Sequence, residues 1–303
     1  MSAPRTSAVA PDPAAGAGAA ADPAGQDTYL TWLYVPGDRP AVVAKALHSG
    51  ADVVLVDLED AVAPERKPYA LAATAELLSE PRPGPVPVHV RVNALAGPLA
   101  DGELRTLAPL PGLAGLRLPK TGGREEVLRV AAAARAAGGV PPLYPLLESA
   151  LGVERAYEIA AAHPAVRGIA LGEADLRAEL GVADDAGLVW PRGRAVVAAR
   201  AAGLPPPAQS VYPDVADLDG LARSCAAGRA LGFLGRTAIH PRQLPVIERA
   251  FLPTRQEAER AEEIAAAAAT DAGALALPDG RFVDAAVVAE ARRTLRLARH
   301  RTA

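Results

Sequence analysis

The sequence predicts an α/β fold, a (β/α)8 TIM barrel followed by a C-terminal helical extension. Three observations carry this expectation. From Thr28 onward, short strand-like runs, several of them continuously apolar, alternate with Ala/Arg/Glu-rich segments of helical period, as buried parallel strands joined by crossover helices do. Eight such runs occur before Phe251, which favours a barrel over an open doubly wound sheet. Polar and charged residues stand at or just after the ends of these runs, and in a barrel those ends form the one rim that carries active sites.

The first strand is expected at residues 32–35. Pro36-Gly37 then lets the backbone turn, and Pro40 suits the first turn of a helix over 40–49. Strand-like runs, several of them continuously apolar, place further strands at 53–57, 88–92, 116–119, 143–147, 168–171, 209–212 and 237–239. The segments between them predict helices that include 124–137, 149–162, 194–202 and 217–231. Residues 1–27 are rich in Ala, Pro and Gly and broken by Asp12, Asp22 and Asp27, so they read as a disordered tail and not as a secretory signal. The catalytic barrel is assigned to 28–251. The extension, 252–303, contains a charged helix over 254–269, a hairpin turning at Asp279-Gly280, and a last helix over 285–299.

Bulk properties narrow the function classes. The net charge is -3 and the arginines are scattered, which argues against a nucleic-acid partner. Cys225 is the single cysteine, so no intrachain disulfide can form and a reducing cytoplasm fits. No apolar run approaches the roughly 18 residues needed to cross a bilayer. The expectation is a soluble, cytoplasmic protein.

Two acids carry the chemistry. Glu148 closes the run Leu143-Tyr144-Pro145-Leu146-Leu147, and Asp175 follows the next run, one strand-helix-strand unit later. Right-handed crossovers set the carboxyl ends of such strands side by side. Two hard oxygen ligands then converge, a set suited to Mg2+ or Mn2+ better than to Zn2+. Each acid could instead cap the helix that follows it. Asp57, Glu59 and Asp60 crowd the end of the second strand and call for a cation nearby; Glu59 and Asp60 are assigned to the outer shell of the metal. Arg91, in Val-Arg-Val-Asn, offers a planar fork for a substrate carboxylate, with a buried ion pair to Asp57 or Glu59 as a compatible alternative. Lys120 could form a Schiff base, and His240 could act as an acid/base or fix its loop.

The strand-end motifs occur in a recognisable order: Val35-Pro36-Gly37-Asp38-Arg39-Pro40, Asp57-Leu58-Glu59-Asp60-Ala61-Val62, Val90-Arg91-Val92-Asn93, Leu118-Pro119-Lys120, Leu147-Glu148-Ser149, Gly172-Glu173-Ala174-Asp175, Ile239-His240-Pro241-Arg242 and Asp279-Gly280-Arg281-Phe282-Val283-Asp284. Together they resemble the citrate lyase beta subunit branch of the HpcH/HpaI aldolase family, over about residues 30–298. The resemblance implies a phosphoenolpyruvate/pyruvate-type barrel, a divalent metal, and cleavage or formation of a carbon-carbon bond in a hydroxyacyl-CoA thioester such as citryl-, malyl- or citramalyl-CoA. It implies Glu148 and Asp175 as metal ligands, with Glu148 also beside the substrate. Arg39 and Lys45 would contact coenzyme A, and Lys120 would have a supporting role. Asp284, otherwise an obvious N-cap of the last helix, becomes the candidate proton-transfer residue. Trimers or hexamers are common in the family, with the C-terminal segment covering a neighbour's site. Leu71, Leu151, Gln209 and Arg236 depart from the usual pattern and leave the accepted acyl chain open. Hydrolysis of the thioester, synthase chemistry, or a partner-dependent citrate lyase subunit are the alternative functions.

Overall fold

The computed structural model describes residues 28–270, 275–276 and 282–299. The expected tail over 1–27 and the Asp279-Gly280 turn lie outside the described residues.

The chain begins with β1 (Thr31–Pro36), α1 (Pro40–Ala46), β2 (Val53–Asp57), α2 (Lys67–Ser79), β3 (Val88–Arg91), α3 (Ala100–Leu107), β4 (Leu113–Leu118) and α4 (Arg124–Ala137). It continues with β5 (Leu143–Leu147), α5 (Ala150–Glu154), α6 (Ala156–Ala160), β6 (Ala170–Leu171), α7 (Glu173–Leu180), α8 (Val189–Ala201), α9 (Leu218–Ala230), β7 (Arg236–Ala238) and α10 (Leu244–Phe251). The C-terminal part holds α11 (Arg255–Thr270), β8 (Leu275–Ala276), β9 (Phe282–Val283) and α12 (Ala285–Arg299). β8 and β9 pair antiparallel, the two arms of the expected hairpin.

Strands β1 to β7 form one parallel sheet in the order β6-β5-β4-β3-β2-β1-β7. Helices connect successive strands, as parallel pairing requires. Alternation along β2 separates two apolar faces. Val54 and Val56 join the main core with helix residues such as Val43, Leu78, Leu104, Val127 and Ile159. Val53 packs with Trp32 and Ala208 in a second, smaller cluster on the opposite face. Asp57 shares that second face, four positions along the strand from Val53.

The eight-stranded expectation is met by seven strands and a remnant. The segment predicted as a strand over 209–212 makes only an isolated parallel bridge, Gln209 with Arg236. Pro205, Pro206 and Pro207 precede it and supply no N–H for a ladder. Its link toward β6 runs through a side chain, with Glu173 N donating to Ser210 Oγ at 3.3 Å. The strand expected over 168–171 shortens to Ala170–Leu171. The helix expected over 149–162 divides at Arg155 into α5 and α6. Among the described residues, no helix is long and apolar enough to cross a membrane.

Candidate active site

Asp57, at the end of β2, is buried and pairs in register with Arg91 on β3. Arg91 Nε donates to Asp57 Oδ1 and Nη2 to Asp57 Oδ2, both at 2.7 Å. This is the bidentate fork that arginine's planar donors favour. The same carboxylate accepts the N–H groups of Glu59 at 3.0 Å and Ala61 at 2.9 Å, so it shapes the loop bearing Glu59 and Asp60. Lys67 pins that loop from α2, its Nζ donating to Leu58 O at 2.9 Å, Glu59 O at 2.8 Å and Asn93 Oδ1 at 2.6 Å.

The crowded acids have the cations they require. Arg91 Nη1 lies 3.1 Å from both Glu59 Oε2 and Asp60 Oδ2, and its guanidinium sits 5.0 Å from the centre of the Tyr34 ring. The Glu59 contact is an ion pair without hydrogen-bond alignment, which leaves Oε2 a buried atom with no hydrogen-bond partner. Burial pulls the arginine's pKa down, but the hydrogen bonds to Asp57 and the surrounding negative charge more than restore it. Burial raises Glu59 despite Arg91 and Lys120 beside it, and lifts Tyr34 to about 12.

Glu148 closes β5 and is buried. It does not cap the following helix; Ser149 does, accepting from Gly152 N at 3.1 Å. Its Oε2 instead accepts the backbone N–H of Lys120 at 2.8 Å. Gly172 makes this placement possible, because a Cβ there would stand 2.3 Å from Glu148 Oε1 and 2.4 Å from its Cγ. Burial first, then the charge of Glu59, pushes the Glu148 pKa up to about 7 against the opposing Lys120 N–H. A carboxylate desolvated in this way gains from a cation.

Asp175 lies in the first turn of α7, half exposed, and its Oδ2 is 4.0 Å from Lys120 Nζ. Gly172 holds the N-cap of that helix and offers no side chain. Glu148 and Asp175 thus follow neighbouring strands, Glu148 directly after β5 and Asp175 in the helix after β6, with Glu59 and Asp60 gathered around the same ammonium. Glu148 and Asp175 could hold a hard divalent ion. Among the described residues no three His, Cys, Asp or Glu side chains form a metal cage. Magnesium does not need one, since it keeps several waters and uses one or two protein carboxylates. The donor set and the cradle at Gly172 fit such an ion.

The other expected residues fall into two groups. Arg39 and Lys45 are exposed on the first strand-helix unit. Nearby, Arg66 pairs with Asp38 at 3.5 Å and stacks on Tyr69 at 4.3 Å, a cluster the sequence did not disclose. Asp284, by contrast, serves as a cap, its Oδ1 accepting the N–H groups of Ala286 and Val287, each at 2.9 Å. These bonds tie it to α12 and not to the strand-end acids of its own chain. His240 fixes its loop, accepting from Arg242 N at 3.1 Å.

Sequence reasoning missed the double role of Lys120, the cradle at Gly172, and Tyr34 beneath Arg91. It also missed Glu173, whose carboxylate is gripped by Arg192 at 2.8 and 2.7 Å. Glu173 stands two residues before Asp175, and its place shortly after β6 was the available signal.

Comparison with known proteins places the chain in a family. A family model for HpcH/HpaI aldolase/citrate lyase matches residues 30–241. A (3S)-malyl-CoA thioesterase of Cereibacter sphaeroides is 36% identical over 279 residues, covering 88% of this chain and 93% of the relative. Citrate lyase subunit beta of Escherichia coli is 33% identical over 282 residues, covering 88% and 92%. Among solved structures, protein CitE of Mycobacterium tuberculosis in complex with magnesium, acetoacetate and coenzyme A superposes with a TM-score of 0.76 at 32% identity, covering 89% of this chain and 98% of that one.

Proposed function

The chain belongs to the HpcH/HpaI aldolase/citrate lyase family, an enzyme family, and we propose that it is a Mg2+-dependent lyase that cleaves a hydroxyacyl-CoA thioester. The products are acetyl-CoA or a homologue and an α-keto acid or glyoxylate, from a substrate of the citryl-, malyl- or citramalyl-CoA kind. One observation carries this reading: a buried Glu148, positioned by a backbone N–H and by the missing side chain of Gly172, just past the end of β5 and next to β6, the strand that leads into the helix of Asp175. Such an acid is costly to bury without a cation to bind. The magnesium, acetoacetate and coenzyme A held by the M. tuberculosis relative support the same choice of ligands.

In this reading Glu148 and Asp175 hold the ion, Mn2+ being a possible substitute, and Glu59 and Asp60 hold its waters. The bound ion supplies Lewis acidity at the keto oxygen. Arg91, already immobilised by Asp57, meets the substrate carboxylate with little further loss of side-chain freedom. Arg39 and Lys45 take the phosphates of coenzyme A. In cleavage the carbinol hydroxyl gives its proton to water and the O–H electron pair forms the new keto C=O; the bond between the carbinol carbon and the thioester α-carbon breaks, its electron pair moving onto the thioester as an enolate, which takes a proton at carbon. Asp284 is the proposed donor. In its own chain Asp284 caps α12; this reading places it in the site of a neighbouring copy, and takes a trimeric or hexameric assembly in the cytoplasm. A closed eight-position barrel over 28–251, with 209–212 completing the ring, is the architecture this reading takes.

Thioester hydrolysis is the second reading, supported by the 36% identity to a malyl-CoA thioesterase. A panel of hydroxyacyl-CoA thioesters with products identified by mass separates the two: a lyase yields a shortened acyl-CoA, a thioesterase yields free CoA and the intact acid. Glu148→Gln and Asp175→Asn are expected to abolish turnover with the circular dichroism spectrum unchanged. Full activity in either variant refutes the ligand assignment.

A further inference from the structure

Among the described residues, Lys120 is the one non-glycine residue with a positive φ, 51°. Glycine adopts that conformation without the clash that a Cβ brings. A lysine at a position whose backbone favours glycine points to a use for its side chain. The kink directs two groups of one residue at the acidic rim. Its N–H holds Glu148 Oε2 at 2.8 Å. Its Nζ lies 2.9 Å from Glu59 Oε1, 3.8 Å from Asp60 Oδ1 and 4.0 Å from Asp175 Oδ2.

Charge is unevenly distributed around this point. Arg91 is fixed by Asp57 and reaches Glu59 and Asp60, but the ion pair facing Asp175 is made by Lys120. The lysine side chain is flexible and partly exposed, with a compact ammonium that can shift without breaking a fixed fork. Its hydrogen bond to Glu59 gives it a firm second partner when Asp175 is withdrawn.

We infer that Lys120 is the built-in counter-cation of the metal-free site: its ammonium and the divalent ion share Asp175, and the ion enters as the lysine retreats onto Glu59 and Asp60. The inference rests on the reading of Glu148 and Asp175 as metal ligands. Two consequences follow. The ammonium holds the acids together before metal arrives, and by like-charge repulsion it weakens metal binding. Lys120 is therefore a positioning residue that sets the affinity for the ion.

Calorimetric titration of the full chain with Mn2+, in the absence of substrate, tests this. Lys120→Gly keeps the N–H that holds Glu148 and removes only the side chain. It is expected to bind Mn2+ about tenfold tighter than the wild type or more. Lys120→Arg keeps the charge and is expected to stay within about threefold of the wild type. The rise in melting temperature on saturation with Mn2+ is expected to be larger in Lys120→Gly than in the wild type. Equal or weaker Mn2+ binding by folded Lys120→Gly overturns the inference; should that variant not fold, Lys120→Met is judged by the same criterion. Wild type and Glu148→Gln binding Mn2+ alike would mean that the ligand assignment had failed, and the inference with it. Loss of binding in Glu148→Gln leaves the comparison at Lys120 to decide.

Discussion

At the scale of single residues, the site depends on what is absent as much as on what is present. Gly172 has an ordinary negative φ of -98°, so its backbone does not demand glycine. Space does: an added Cβ would overlap the Glu148 carboxylate, 2.3 Å from Oε1. Gly172→Ala is therefore expected to push Glu148 out of its seat and weaken Mn2+ binding at least about tenfold, since metal sites tolerate little displacement of their ligands. Calorimetry measures the affinity, and an unchanged far-ultraviolet spectrum separates the effect from unfolding. Affinity equal to wild type would show that the Glu148 seat is not what holds the ion. The four residues Asp57, Glu59, Asp60 and Arg91 could be seen in the sequence as a strand-end cluster. Their division of labour could not, because the bidentate grip of Arg91 on Asp57 depends on the register between β2 and β3.

At the scale of elements, strands and helices were legible wherever their signal was local. β2 reads as an unbroken apolar run and is buried along its whole length. The stretch over 209–212, Gln-Ser-Val-Tyr, has a weaker strand signal, and it pairs through one bridge. The final helix offers a test of two roles for one residue. Asp284 caps α12 through two N–H groups, and loss of such a cap costs about 1 kcal/mol, whereas asparagine caps as well as aspartate. Asp284→Ala is thus expected to lower stability and proton exchange at the acetyl-CoA methyl group together. Asp284→Asn is expected to lower exchange alone. If Asp284→Asn retains wild-type exchange, as followed by deuterium incorporation, the residue is a cap and nothing more.

At the scale of the whole molecule, the rim stands on a core that joins nearly every helix to the outer face of the sheet. Phe251, at the end of α10, is fully buried in that core. Truncating such a side chain removes its contacts and leaves a cavity, a loss of about 3–5 kcal/mol. Phe251→Ala is expected to lower the denaturant midpoint by a corresponding amount while leaving metal affinity near wild type. A stability loss within about 0.5 kcal/mol would show that the site relaxes around the cavity. The helices α11 and α12 pack on each other and are charged and Ala-rich, a change of composition after Phe251 that was visible in the sequence.

Alternation of apolar runs with helical segments, and the acids that close those runs, were written in the order of residues along the chain. These features are local: strand period, turn residues and the chemistry of a strand's last position need no distant partner. Long-range geometry had to supply the rest. The left-handed kink that turns one lysine toward both Glu148 and Asp175, the empty space at Gly172, and the single bridge from Gln209 to Arg236 depend on contacts between residues far apart in the chain. Register and packing set those contacts, and they are fixed only when all the strands meet.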